Sequence, residues 1–206
     1  MASWTDWKLS DILWGIIIPV IVGFLIIIFP TELAKILMEV DPSYTLNAIL
    51  VDGLGEAILT VGIPMFAGLV WNKFAGGGAG FITGSIYALF VNDTFAGMGA
   101  FMPTSGMVGD VSNLGYVVCA MLTGYIAGSL NRDSFGFRRG VIAGLIGGSI
   151  GGAFLLWTQL ISPFGMVTDF WFSVFVIYAI RIVYAIIIPL FAMLFGWFGI
   201  SPRQMG

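Results

Sequence analysis

The chain has 206 residues, 59% of them hydrophobic and 9% charged, and its mean hydropathy is +1.02. Such a composition excludes an ordinary water-soluble domain and leaves no polar stretch long enough for a separate catalytic one. Histidine is absent, and acids outnumber bases 11 to 8 without a basic stripe, so metal, haem and nucleic-acid chemistry are all poorly supplied.

These counts lead us to expect a single all-α, polytopic membrane domain that is not an enzyme and carries no cofactor or metal. Its first partner is the lipid bilayer, and other integral membrane subunits are expected beside it. The lone Cys119 sits in an apolar run and has no second cysteine to bridge, so it says nothing about redox compartment.

In chain order, Trp4 and Trp7 suit a membrane interface, where indoles collect. A first span is expected at 12–29; no small-x-small cleavage pattern follows it, so it reads as retained rather than as a signal peptide. Pro30 ends it. Residues 31–40, TELAKILMEV, put Leu33, Ile36, Leu37 and Val40 on one face of a helix too short to cross a bilayer, which makes it interfacial or a lid. Further spans are expected at 48–71, 76–91, 111–130, 140–161 and 170–200, the last with a kink at Pro189. Between the third and fourth lies a loop, NDTFAGMGAFMPTSGMVGD, with no positive charge.

Six transmembrane helices would put both termini on one side, with Lys8, Lys73, Arg132, Arg138, Arg139 and Arg203; the loops of the other side carry Lys35. The positive-inside rule then gives an N-in, C-in protein of the cytoplasmic (inner) membrane. An offset of 64 residues aligns 80–90, GFITGSIYALF, with 144–154, GLIGGSIGGAF. Small-residue packing alone accounts for such a match as readily as an internal repeat does.

Three groups of residues could carry function. Gly76, Gly80 and Gly84 in the third span, and Gly140, Gly144, Gly148 and Gly152 in the fifth, recur every four residues. Such stripes let helix backbones approach closely, either inside the chain or against another membrane subunit. The second group is charged. Asp52 and Glu56 share a helical face in the second span, and Arg181 is the one charge in the last. Counting ~20 residues per crossing from Trp71 and from Ile200 sets Asp52, Glu56 and Arg181 at similar depth near the outer edge. Three readings stay open: Arg181 snorkelling and Asp52 capping, a Glu56–Arg181 ion pair, or a polar pocket opening outward. The third group, Tyr44, Tyr87, Phe90, Phe95, Phe101 and Met102 with Asn92 and Asp93, collects at the same mouth and suits packing or a small-molecule site.

The layout of spans, the glycine-opened segment 76–91 ending in Asn92-Asp93, and the segment 124–130 before the arginine loop resemble the substrate-binding S component of energy-coupling-factor vitamin transporters. The resemblance covers most of the chain in topology. It implies a solute-binding subunit of a vitamin-like uptake transporter, with substrate held by Glu56, Asn92, Asp93, Asp110 and Arg181. It also implies coupling to a scaffold subunit and ATPases. The first span, ILWGIIIPVIVGFLIII, lacks the AxxxA pattern of that family's coupling surface. The alternative is a non-catalytic accessory subunit of a larger membrane complex, packed through its glycine-striped helices.

Overall fold

A computed structural model describes residues 54–91, 111–132, 134–162 and 169–197, with Ile16, Ile17, Val20 and Ile21. The expected short helix at 31–40, the rest of the first span, Asp52 and the loop at 92–110 lie outside the described residues. Those described are helical, joined by short turns, with no strand among them.

Helix α1 runs through Leu54–Ala57, a π-helical turn at Ile58–Gly62, and Ile63–Val70. It ends abruptly at Trp71. Asn72, in extended conformation, starts the next helix by accepting the Phe74 and Ala75 amides on Oδ1, both at 2.9 Å. An Asn N-cap satisfies two otherwise orphaned donors, so two residues suffice to reverse the chain. Helix α2 follows, Lys73–Ile86 with a π-helical extension Tyr87–Val91. Five of its first fourteen residues are glycine, a poor helix composition that tertiary contact must rescue.

Helix α3 is Val111–Asn131, α4 is Phe137–Ile161 and α5 is Phe170–Trp197. Arg132, with φ 46°, ends α3 in the left-handed region. Asp169 starts α5 by accepting the Phe172 amide at 3.1 Å, so this acid is accounted for as a cap rather than as part of a site. Helices α3, α4 and α5 are each long and apolar enough to cross a membrane, and 55–70 forms a shorter apolar helix. The protein is therefore helical and membrane-embedded. α3 matches the expected fourth span to one residue, while α4 starts three residues ahead of the expected fifth.

Helix α3 is the hub, packed on α1, α2 and α4, and α5 closes against α4 and α1. The glycines explain the contacts. A Cβ on Gly80 would run into the Ala120 backbone, and one on Gly84 would stand 2.8 Å from the Val117 Cα, so α2 lies backbone-to-backbone on α3. The stripe on α4 meets α5 rung by rung: Gly140 faces Pro189, Gly144 faces Ala185, and Gly148 and Gly152 face Arg181. Gly147 and Gly151 turn instead to Thr123, Ala127 and Cys119 of α3. Both predicted glycine faces are thus filled by the chain's own helices.

These contacts make α2 antiparallel to α3, and α4 antiparallel to both α3 and α5. Gly124 approaches the Pro64 carbonyl and Gly128 the Gly68 carbonyl, so α1 and α3 run the same way. The turns at Trp71–Asn72 and 132–136 therefore share one end of the bundle. The buried Asn131 amide ties them, donating to the Leu69 carbonyl at 3.0 Å. Lys73, Arg132, Arg138 and Arg139 gather at this end, with the Lys73 ammonium 5.2 Å from the Phe74 ring centroid. Outward faces are apolar: Phe81, Ile146, Trp157, Phe175 and Ile186 are all exposed, as a helix bathed in lipid requires.

Candidate functional site

The interior is mostly small and apolar, with Met65, Val61, Leu69, Ala127, Ala143 and Ala185 forming one cluster. Arg181 interrupts it. The residue is only 2% exposed, and eleven residues of α5 precede it, about 16 Å of helix at 1.5 Å per residue. Snorkelling to headgroups does not describe a guanidinium so enclosed.

Gly148 and Gly152 make the room. An added Cβ at Gly152 would stand 2.8 Å from the Arg181 Cδ and 2.9 Å from its Nε, so the side chain lies directly along the α4 backbone. Its Nη1 donates to the Ile177 carbonyl at 2.7 Å and its Nη2 to the Cys119 sulfur at 3.1 Å. Nε makes no hydrogen bond. A carbonyl and a thiol satisfy two donors but balance no charge, and an enclosed cation needs a counter-charge to be tolerated.

Glu56 supplies the nearby negative field. It is half-buried on α1, and its carboxylate acts electrostatically on Arg181, Cys119 and Tyr116. Around it, Tyr116 accepts a hydrogen bond from Gln159 Nε2 at 3.4 Å. The Tyr116 ring stacks edge-on with Tyr87 at a centroid separation of 4.8 Å. Thr60 Oγ1 donates to the Glu56 carbonyl at 2.8 Å, bonding back within α1 rather than toward the arginine. The polar centre thus draws on α1, α2, α3, α4 and α5.

Of the residues expected to bind substrate, the structure brings Glu56 and Arg181 into one electrostatic neighbourhood. Asn92, Asp93 and Asp110 lie outside the described residues, as do the side chains of the aromatic group other than Tyr87. Cys119, Tyr116 and Gln159 are members that sequence reasoning missed. Tyr116 and Cys119 are three residues apart, and Thr123 follows four later on the same helical face. That polar stripe in an otherwise apolar span was the available signal.

No family model, no curated protein and no solved structure matches the chain. Its function must be argued from the geometry alone. Chemically, the centre offers one enclosed cation, one carboxylate, a phenol, a thiol and an amide. No group of three or more metal-ligating side chains occurs among the described residues.

Proposed function

We propose that the chain is a solute-binding subunit of a small-molecule, vitamin-like uptake transporter. It sits in the cytoplasmic membrane with six spans and both termini inside, and has no catalytic role of its own. The observation that supports this is Arg181: a guanidinium kept in the bundle interior, cleared of side chains by two glycines and set in the field of a carboxylate on another helix. Ionisable groups enclosed among membrane helices are costly and mark substrate or ion pathways. Tyr87 and Tyr116 pack edge-on close by, aromatic side chains of a kind that small-molecule sites commonly use. The clustering of Lys73, Arg132, Arg138 and Arg139 at one end is what the positive-inside orientation requires.

The competing reading, an accessory subunit of a larger complex, has lost the surfaces first assigned to it, because the glycine stripes are occupied within the chain. The two are separated by what leaves the membrane with the protein. Mild-detergent purification from native membranes, followed by mass spectrometry of proteins and released small molecules, should yield a scaffold subunit, ATPases and a solute. The solute should be lost from Arg181→Met. Isolation within a respiratory-type complex, with no solute released, would reverse the assignment.

A further inference from the structure

At the positively charged end, an open groove of about 450 Å³ beside α3 and α4 is lined by Leu130, Gly136, Arg138, Arg139, Ile142, Ala143 and Ile146. Its walls are aliphatic along α4, one residue per turn, and its mouth is basic. Arg139 is held across that mouth, its Nε donating to the Leu130 carbonyl at 3.2 Å. Segment 131–139 carries three arginines against a single aspartate, Asp133, which lies outside the described residues.

We propose that this groove holds an acidic phospholipid, with its phosphate on Arg138 and Arg139 and one acyl chain along Ile142 and Ile146. Charge and shape agree on this occupant. A soluble anion would use the arginines but not the aliphatic wall. A zwitterionic lipid would use the wall but bring a cation to the arginines. Both arginines also stand in the first turn of α4, where the helix macrodipole disfavours positive charge. An anion between them offsets that penalty. Basic clefts between membrane helices are a recurrent means of holding acidic headgroups.

The experiment uses the full chain reconstituted in nanodiscs of phosphatidylcholine with a minority of phosphatidylglycerol, reading retained lipid by native mass spectrometry and melting temperature in parallel. The wild type should retain phosphatidylglycerol over phosphatidylcholine by about thirtyfold, as expected for two arginines at about 1 kcal/mol each near a membrane surface. Arg138→Gln with Arg139→Gln should bring retention close to the bulk ratio. Lys73→Gln, which removes a charge at the same end but outside the groove, should leave it unchanged. Ile146→Trp fills the groove with both arginines intact, and should also abolish retention. Equal enrichment in the wild type and the double arginine variant would overturn the proposal. So would equal loss in Lys73→Gln, which would mean that surface charge alone attracts the lipid. Enrichment that survives Ile146→Trp would reduce the groove to a bystander.

Discussion

Arg181 is the residue on which the interior turns. Two donors of its guanidinium are met by a carbonyl and a thiol, neither of which carries charge, and the field of Glu56 offsets part of its desolvation. Removing Glu56 alone leaves an enclosed cation, whereas removing both takes out the charge that needed compensation. In detergent, Glu56→Leu, which leaves the enclosed Arg181 cation without that field, should therefore destabilise the protein by up to about 3 kcal/mol. Arg181→Leu, which leaves behind only a half-buried carboxylate, should cost less, and the double variant should be more stable than the sum of the singles. A strictly additive double variant would show that the two charges do not depend on each other. The sequence made both residues conspicuous, since each is an ionisable group in an apolar run. It did not disclose Cys119 as the arginine's contact. The two are 62 positions apart, and only the rotation of α3 about its own axis decides whether a thiol or a methyl meets the guanidinium.

At the scale of the element, glycine spacing was readable and its meaning was not. A four-residue glycine period specifies a flat helical face, but says nothing about which helix covers it. The structure covers the α2 face with α3 and the α4 face with α5, and neighbouring glycines separate cleanly by environment. A Cβ at Gly76 would stand 2.7 Å from both the Gly124 carbonyl carbon and the Gly68 Cα, all of it backbone that cannot step aside. A Cβ at Gly78 would meet nothing within 4 Å. Gly76→Ala should then destabilise by about 2 kcal/mol or more, through forced separation of helices. Gly78→Ala should stabilise by about 0.5 kcal/mol, through the backbone entropy that glycine forfeits in a helix. Melting curves of the two variants decide the matter; a comparable loss in both would mean that glycine content, rather than contact, sets stability. Element boundaries were legible where polar residues mark them, as at Asn131 and Asp169, and less so at α4, whose first turn, Phe137–Arg138–Arg139, is helical despite its charge.

For the whole molecule, alternation of helix direction was the expectation best supported by simple counting. The contacts among α1 to α5 follow it, with the turns before α2 and before α4 at a common end. Which side of the membrane that end faces follows from the proposed orientation. The chain's single cysteine is buried, so the wild type provides a silent background for labelling. Ser134→Cys, in the turn between α3 and α4, should be unreactive toward a membrane-impermeant maleimide in intact cells and should label fully once the membrane is opened. Labelling in intact cells would invert the proposed topology and with it the outward face of the polar centre.

The rung-by-rung fit of α4 to α5 also bears on the order of assembly during synthesis. Of the described helices, α5 leaves the ribosome last, and it alone brings the arginine. By then α1, α3 and α4 have been made, so the carboxylate, the thiol and the glycine-lined channel exist before the charge that they accommodate. Arg181 thus enters a prepared berth rather than crossing the bilayer unaccompanied, and the docking of α5 completes the packing of the described helices.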